Sequence, residues 1–527
     1  MTDSPDAELL AAFWAYEQAL AANDLTGLDH WFLDAQGTLR AEGDTVLVGH
    51  RAIADFRRGR GGAPARVVER VHVVRPATGV AVVTAETRRQ DGTRGLQTQV
   101  WQHTDAGWRI AAAHVSAVAA PTPDERPDPA VWRVAGRHEE GGPLVASTGQ
   151  GPLAHVRTAV KDLFAVAGQR VGAGNPAWLA EARPEPAHAD AVRRLLNAGA
   201  ELTGIAQTDE LAFSLAGTNA HYGTPVNPAA PGRITGGSSS GPAAAVARGW
   251  ADLGLATDTA GSIRVPASYC GLYGWRPTHG ATPTGGLLAL APSFDTAGLL
   301  ARDPALLRTA AEVLLPPDDD PVPVAELMVD EELASHAEPE VRASFEAACR
   351  ALSLRTELPL TRTSTGAAEH LEEWLAAFRT VQAAEAWERH GAWITRHPGA
   401  LAPDVAARFE NGRRVSAAER AQAEQVLAGA RKALDAVPPP GSALLLPATS
   451  GPALHAGAPS EEVEAVRAAT LRLTCLASLA GLPAVVAPLL RVRSLPVGLC
   501  ALGAPGTDRA LLDLAARTTE SRSPTHA

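Results

Sequence analysis

The first 120 residues change from a helical pattern to an alternating one. Near the N-terminus, large apolar residues recur at the spacing of one helix face: Leu9, Leu10, Phe13, Trp14, Tyr16 and Leu20. Later runs are alternating or rich in β-branched residues, with the turn signals PATG, QDGTRG and TDAG between them: RVVERVHVVRP, GVAVVTAETRR, GLQTQVWQHT and GWRIAAAHVSAV. Helices followed by an antiparallel meander predict an α+β domain with helices on one face of a curved sheet.

A proline-rich segment separates this pattern from a second one. The sequence APTPDERPDPAVW cannot sustain a helix or a central strand and suits a stiff, solvated connector. Beyond it, apolar runs such as SALLLPAT and LPAVVAP alternate with Ala-rich helical windows such as HADAVRRLLNAG. This alternation predicts an α/β fold with a mixed central sheet covered by helices. We therefore expect one domain over residues 1–120, a linker over 121–135 and a second domain over 136–527.

Composition and charge exclude several classes of function. The 527 residues are 46% hydrophobic and 20% charged, close to the globular average, so a sizeable core can be buried. The 47 basic and 58 acidic residues give a net charge of −11, which repels polyphosphate. We expect a small-molecule partner and no nucleic acid.

The sequence also bears on cellular location and on metal binding. Gly481, Pro483 and Pro488 interrupt the uncharged stretch 473–490, so it is not expected to span a membrane. The N-terminus lacks the basic and apolar regions of a secretory signal. The four cysteines have no metal-ligand spacing and are too sparse for a disulfide framework. These observations predict a cytoplasmic protein without a bound metal.

Lysine is almost absent from the chain. It occurs only at Lys161 and Lys432, so the other 45 of the 47 basic residues are arginine. Lys432 lies in a helical surface pattern, where either cation serves, whereas Lys161 is flanked by apolar residues in RTAVKDLFAVAG. Arginine cannot lose its proton in a protein, but a desolvated lysine can. Lys161 is therefore a candidate for a role that needs a neutral amine, the alternative being a lysine whose head group reaches solvent.

Two small-residue segments carry candidate acyl-transfer chemistry. The loop GGSSSG (236–241) precedes an Ala-rich helical run, a pattern suited to close backbone approach and to binding negative charge at a helix N-terminus. An apolar strand then ends in DTAGS (258–262), where small residues let several backbone N–H groups converge as in an oxyanion hole. Ser262 would stand where a carbonyl carbon can sit. The GGSSSG loop alone is equally compatible with a turn without chemistry.

These segments together resemble the amidase signature family over about residues 145–517. The resemblance includes TAVKDLFAVAG, TDELAFSLAGTNAHYGTPVNPAAPGRITGG, CGLYGWRPTHG and SLAGLPAVVAPLL, and it is strongest to amidases that act on small aryl or aliphatic acetamides. It implies a triad of Lys161, Ser238 and Ser262, in which Ser262 is the nucleophile. It also implies a cis peptide bond between Gly237 and Ser238, and no cofactor.

The resemblance implies further roles near the triad. The backbone N–H groups of the oxyanion hole would be those of Thr259, Ala260, Gly261 and Ser262. Ser239 and Asp258 match positions that support the glycine-serine loop by hydrogen bonds. Ala260 departs from the family's usual glycine, which adds one methyl group to the oxyanion segment. Four aromatic residues could line an acyl pocket, with core packing as the alternative for each: Phe213, Tyr222, Trp178 and Trp275.

The N-terminal domain resembles the NTF2-like cone fold, specifically a small domain found beside amidases in the breakdown of ureido compounds. The resembling stretch is RGLQTQVWQHTDAGWRIAAAHVSAV. If the cone binds a small carboxylated urea, Arg94, Gln99 and His114 are the candidate polar groups. The alternative is a dimerisation or chaperone-like module, through which the chain would form a homodimer.

The resemblance implies one leading hypothesis for the function, and two alternatives stay open beside it. The leading hypothesis is an amidase that releases ammonia from a small primary amide or ureido acid. The chain could instead be the amidase component of a tRNA-dependent amidotransferase, against which the net charge of −11 and the fused N-terminal domain both argue. The third hypothesis is a catalytically silent binding protein whose cone is the working part.

Overall fold

The computed structural model divides the chain into two compact units, residues 1–124 and 125–527. It describes residues 5–42, 45–60, 66–89, 94–117, 127–136, 142–317 and 322–518. Each unit has its own hydrophobic core, since the N-terminal core includes Leu9, Phe13 and Trp101 and the cores of the second unit begin at Val131.

The N-terminal unit packs helices against a six-stranded sheet. Its helices are α1 (Pro5–Ala21), α2 (Leu25–Trp31) and α3 (His50–Arg60), and its strands are β1 (Leu39–Glu42), β2 (Thr45–Val48), β3 (Arg66–Ala77), β4 (Val80–Arg89), β5 (Arg94–Thr104) and β6 (Gly107–Ala117). The strand order is β2-β1-β6-β5-β4-β3, in which only the pairing of β1 with β6 is parallel among the described strands. Gly79 and Gly107 take positive φ values of 73° and 88° at the hairpin turns.

The second unit is built on an eleven-stranded mixed sheet of order β14-β13-β15-β17-β16-β11-β12-β10-β8-β9-β7. Its strands are β7 (Trp132–Ala135), β8 (Arg157–Lys161), β9 (Glu201–Ala206), β10 (Leu253–Asp258), β11 (Tyr273–Arg276), β12 (Thr296–Ala301), β13 (Glu326–Val329), β14 (Leu360–Arg362), β15 (Ser442–Pro447), β16 (Ala484–Val492) and β17 (Leu495–Leu502). The central strands are apolar on both sides, as expected for a sheet covered on both faces.

Twelve helices cover this sheet in the described residues, together with a short 3₁₀ turn at Glu210–Ala212. They are α4 (Pro176–Glu181), α5 (Asp190–Asn197), α6 (Ser240–Ala247), α7 (Arg264–Cys270), α8 (Pro304–Leu314), α9 (Glu331–Ala334), α10 (Pro339–Thr356), α11 (Ala367–Arg396), α12 (Pro403–Arg414), α13 (Ala417–Leu434), α14 (Ser460–Ala480) and α15 (Asp508–Ala516). Side chains of β8 alternate between the two cores, with Ala159 in one and Val160 in the other.

The end of the expected linker is part of the second unit. Residues 132–135, assigned to the connector from the sequence, form β7 and pair antiparallel with β9 at the edge of the large sheet. Val131 is fully buried in the core. The assignment failed there because an edge strand of four residues tolerates the proline-rich approach that a central strand does not.

This edge strand sets the limit of a tolerated truncation. Deletion of residues 1–120 is expected to leave the second unit folded, because its cores contain no residue before Val131. Deletion of residues 1–136 removes β7 and is expected to lower the melting temperature by several degrees or to give insoluble protein. Thermal melts of the two truncated chains beside the full chain test this. Insoluble protein from the shorter deletion would contradict the independence of the second unit.

Candidate active site

Lys161 is enclosed by hydroxyl groups at the end of β8. Its Nζ lies 2.8 Å from Ser238 Oγ, 3.0 Å from Ser239 Oγ and 2.7 Å from Thr257 Oγ1. The side chain is fully buried, and within the described chain no carboxylate forms an ion pair with the amine. The sequence identified Lys161, Ser238 and Ser239, but it did not identify Thr257.

The surroundings of Lys161 favour the neutral amine. Burial lowers the pKa of Lys161 from 10.5 to about 7, because the charged form loses its hydration, and the more distant carboxylates of Asp209, Asp258 and Asp295 act in the opposite direction. A neutral amine can accept a proton from a hydroxyl group at hydrogen-bond distance. Ser238 is therefore placed to exchange a proton with Lys161.

The glycine-serine loop is held by the segment after β9. The Thr208 hydroxyl and the Asp209 N–H donate to the carbonyl oxygen of Ser238 at 2.9 and 3.1 Å. A Cβ atom at Gly237 would lie 2.1 Å from Asp209 Oδ2, so only glycine fits there. The peptide bond between Gly237 and Ser238 is cis, as the resemblance implies. Asp209 was missed in the sequence, although it stands beside a predicted strand in TDELAF.

Asp258 supports a different segment from the one expected. Its carboxylate accepts hydrogen bonds from the N–H groups of Gly261, Ile263 and Arg264, all in its own turn. Arg264 and Arg276 pair with the same carboxylate at 2.8 and 3.0 Å, and all three side chains are buried.

The pKa of Asp258 reflects its two arginine partners. Burial alone would raise the pKa of Asp258, but the charges of Arg264 and Arg276 outweigh burial and lower it. A second buried acid, Asp295, accepts the hydroxyl of Thr259 in the DTAGS segment at 2.6 Å. Among the described contacts, Ser239 rather than Asp258 supports the glycine-serine loop, since the Ser239 hydroxyl also donates to the carbonyl oxygen of Thr257 at 3.2 Å.

Three backbone N–H groups at Ser262 and just before it have no hydrogen-bond partner among the described residues. They belong to Thr259, Ala260 and Ser262. The fourth N–H of the expected oxyanion hole is different, because Gly261 donates to Asp258 Oδ1 at 2.9 Å. Gly261 has φ = 132°, which favours glycine and turns the chain at this point. The Thr474 hydroxyl on α14 fixes the segment by donating to the carbonyl oxygen of Ala260 at 2.7 Å.

The four aromatic candidates do not form one pocket. Trp275 is wrong as a pocket residue: it is fully buried with Val160, on the opposite face of the sheet from Lys161, and its Nε1 donates to Asp508 at 3.0 Å. Phe213 packs edge-on against Phe409 at 5.1 Å.

The other two aromatic residues lie elsewhere. Trp178 packs against Trp393 at 5.1 Å and lines a separate cavity of about 440 Å³ with Leu287 and Leu288. Tyr222 is half-buried in a turn, where its N–H donates to Asn219. The spacing of these residues along the sequence does not indicate which neighbours each side chain contacts.

The candidate polar groups of the N-terminal unit do not converge either. Gln99 is buried, whereas His114 is exposed and lies on the opposite face, because Gln99 pairs with Ala113 across the strands. The Arg94 side chain lies outside the described residues. A partly buried polar cluster lies in this unit instead, where Arg66 and Gln97 both donate to Glu17.

Two kinds of feature are absent from the described ranges. No group of three or more His, Cys, Asp or Glu side chains has a geometry that could hold a metal ion. No helix there combines the length and the apolar character needed to cross a membrane.

Comparison with known proteins identifies the family. Residues 140–512 match the family model described as Amidase, and residues 3–121 match the model described as AtzH-like. The chain therefore belongs to the amidase family and is an amide hydrolase with an N-terminal AtzH-like domain. Amidase 1 of Arabidopsis thaliana is 34% identical over 400 residues, which cover 71% of this chain and 94% of that protein.

Two further matches bear on the kind of amidase. A glutamyl-tRNA(Gln) amidotransferase component of Natronomonas pharaonis is 43% identical over 170 residues, which cover 32% of this chain and 39% of that protein. A solved structure, described as an unexpected vestigial protein complex that reveals the evolutionary origins of an s-triazine catabolic enzyme, superposes with a TM-score of 0.64 at 30% identity. That match covers 70% of this chain and 84% of the other.

Proposed function

We propose that the protein hydrolyses a small primary amide or ureido acid to the carboxylate and ammonia through Lys161, Ser238 and Ser262. The observation that carries the proposal is the buried Lys161 amine, which has three hydroxyl groups within 3.0 Å and burial that favours its neutral form. No cofactor enters the proposed reaction.

The proposed reaction is a proton relay coupled to acyl transfer. Neutral Lys161 takes the proton of Ser238, Ser238 takes that of Ser262, and the Ser262 oxygen bonds to the amide carbon. The free N–H groups of Thr259, Ala260 and Ser262 stabilise the oxyanion. The C–N bond then breaks as the relay returns one proton to the leaving nitrogen, which departs as ammonia, and water hydrolyses the acyl-enzyme by the same relay.

Ala260 stands in the oxyanion segment at a position where the family usually has glycine. The methyl group of Ala260 leaves its N–H available, so this departure from glycine is compatible with the proposed role.

An ammonia-release screen tests the proposed function. The full chain is incubated with acetamide, malonamate, oxalurate, biuret and indole acetamide, and labelling by a fluorophosphonate reports a reactive serine. We expect ammonia release from at least one compound and labelling that disappears in Ser262→Ala. Absence of both would favour the catalytically silent alternative.

The pH dependence of the reaction is expected to follow Lys161. Protonation removes the base, so kcat/KM for an uncharged amide should fall by about tenfold per pH unit below a pKa near 7 and should level off above it. Steady-state kinetics between pH 5 and 9 measure this. A profile that is flat over this range, or that rises only near the ordinary pKa of lysine, would contradict a desolvated Lys161 acting as the base.

The amidotransferase alternative is the weaker one. It would require transfer of ammonia to a tRNA-bound substrate with a partner protein, for which a chain with a net charge of −11 offers no general affinity. Ammonia release that needs neither tRNA nor another protein would exclude it.

A second candidate function lies inside the N-terminal unit, which we propose to be an NTF2-like cone. Two buried donor groups there, Arg57 Nη2 and Gln99 Nε2, have no hydrogen-bond partner in the described part of the chain. Buried donors of this kind favour a small acceptor-rich ligand. Calorimetric titration of Ser262→Ala with oxalurate, beside the same protein carrying Gln99→Leu, tests for a site in the cone.

The cone also suits self-association. Six of the nine large apolar side chains found exposed in the described structure belong to this unit: Trp14, Val46, Val48, Val67, Val74 and Leu96. We propose a homodimer through this unit, since exposed apolar side chains mark interaction sites. Light scattering of the full chain and of the chain without residues 1–120 distinguishes a dimer from a monomer.

A cytoplasmic location remains part of the proposal, supported by the four cysteines, which are buried and unpaired.

A further inference from the structure

A cavity of about 440 Å³ opens beside the catalytic segments and contains a cation without a full set of partners. Its walls include Leu215, Ile234, Val265, Tyr269, Arg408 and Arg467. This volume lies in the range of small-molecule sites.

Two of its walls adjoin the catalytic segments. The carbonyl oxygen of Leu215 accepts the N–H of Gly237, the residue before Ser238, at 2.9 Å. Val265 and Tyr269 lie three and seven residues after Ser262, which places them along one side of helix α7. The cavity is therefore lined by a residue that contacts the glycine-serine loop and by residues that follow Ser262 on α7.

Arg467 is the unusual group in this cavity. Its side chain is 19% exposed, and its Nη1 pairs with Glu464 at 3.2 Å. Its Nε is buried and has no hydrogen-bond partner among the described residues. A guanidinium group normally uses its donors in pairs to hold a planar carboxylate or phosphate, and a buried donor left free is costly.

The charged groups in the cavity wall are two arginines, Arg408 and Arg467, and two carboxylates, Asp404 and Glu464. Arg408 already uses its donors on Glu464 at 2.9 Å, on Asp404 at 3.1 Å and on the carbonyl oxygen of Phe213 at 2.9 Å. Glu464 is thus shared by two arginines, and 52% of its side chain is exposed. Arg264, the other arginine near Ser262, is fully engaged by Asp258, Thr474 and Ser478 and is not available to a ligand.

The position of Arg467 sets its distance from the reacting centre. Arg467 and Thr474 lie on one side of α14, and the Thr474 hydroxyl contacts the carbonyl oxygen of Ala260. Seven residues of helix correspond to about 10 Å. A ligand group at Arg467 is therefore several bonds away from a carbonyl carbon at Ser262.

We propose that this cavity holds the acyl part of the substrate and that Arg467 binds a carboxylate there. The inference rests on the proposed function and narrows it: the preferred substrates are primary amides that carry a carboxylate several bonds from the amide carbon. Arg467 is the residue that sets this specificity, through the terminal nitrogens of its guanidinium group.

A matched pair of substrates tests the proposal. Glutaramate and pentanamide share the primary amide, but pentanamide has a methyl group in place of the carboxylate. The full chain is expected to prefer glutaramate in kcat/KM, and Arg467→Met is expected to lower that preference by about 10- to 100-fold, the scale of a charge-assisted hydrogen bond. The loss should appear mainly in KM, because the carboxylate is bound equally in the ground and transition states.

Arg472→Met is the control variant. Arg472 lies on the same helix but pairs with Glu372 at 2.5 Å outside the cavity, so the preference for glutaramate should be unchanged. Equal turnover of both amides by the wild-type chain, or an unchanged preference in Arg467→Met, would overturn the proposal.

Binding of glutarate separates this inference from the proposed function. Calorimetry on the full chain is expected to detect glutarate binding that Arg467→Met loses and Arg472→Met keeps. That result together with no turnover of any amide would refute the proposed function but not the carboxylate site. Turnover of pentanamide without glutarate binding would refute the site and leave the proposed function intact.

Discussion

Ser262→Ala is expected to lower kcat for amide hydrolysis by at least about a thousandfold while the protein stays folded. The variant lacks the oxygen that bonds to the amide carbon, whereas the free N–H groups of the oxyanion segment remain. Ser262 makes no hydrogen bond through its hydroxyl in the described structure, so its loss leaves no buried partner unpaired. Ammonia release at saturating substrate, together with a melting curve, measures both parts of the expectation.

The neighbouring serines provide the matched controls. Ser238→Ala is expected to be severe as well, because it removes the hydroxyl that lies 2.8 Å from Lys161 and cuts the proton relay. Ser240→Ala should be mild by comparison, since the Ser240 hydroxyl is not one of the three hydroxyl groups that contact Lys161. If Ser240→Ala were as damaging as Ser238→Ala, the assignment of Ser238 within the GGSSSG loop would be wrong.

Lys161→Met is expected to reduce turnover by at least about a hundredfold, the scale of a lost general base. Methionine is unbranched and of similar length, so it fills the buried site without a titratable group. The measurement is kcat beside the melting temperature, because the hydroxyls of Ser238, Ser239 and Thr257 lose a common donor. Near wild-type turnover would exclude Lys161 as the base.

Lys161→Arg tests the same residue with its charge retained. The scarcity of lysine suggests that arginine should be acceptable at a purely structural position, but the structure makes this variant less simple. The site is fully buried, and adding the larger guanidinium group is expected to destabilise the fold by about 1 to 3 kcal/mol. Because arginine cannot act as a base near neutrality, turnover should still fall far more than the folded fraction does.

The sequence predicted the groups that are close together along the chain. The lysine count singled out Lys161, and the two small-residue segments contained the serines before any distance was known. Side chains that act through distant contacts were not predictable: Thr208 and Thr474 lie 30 and 214 residues along the chain from the carbonyl groups that they hold. Arg467 lies in a helix that reads as an ordinary amphipathic surface, and nothing in its spacing indicates the cavity.

The errors have physical causes as well. Trp275 shares a motif with the catalytic segments, but the alternation of β11 turns its side chain to the opposite core. Asp258 adjoins the nucleophile turn, and its carboxylate is already occupied there. It accepts three N–H groups of that turn and pairs with two arginines. Proximity in the sequence identified both regions correctly, but it could not decide which neighbours each side chain contacts.

The arginines of the cavity and the reacting groups come from parts of the chain that are far apart in sequence. Lys161, Ser238 and Ser262 lie on the segments around β8 and β10, whereas Arg408 and Arg467 lie on α12 and α14. The reacting groups and the groups that contact the acyl part can therefore be altered separately. An engineering library confined to the cavity-facing positions of α12 and α14 would sample new acyl specificities while leaving the acyl-transfer apparatus as it is.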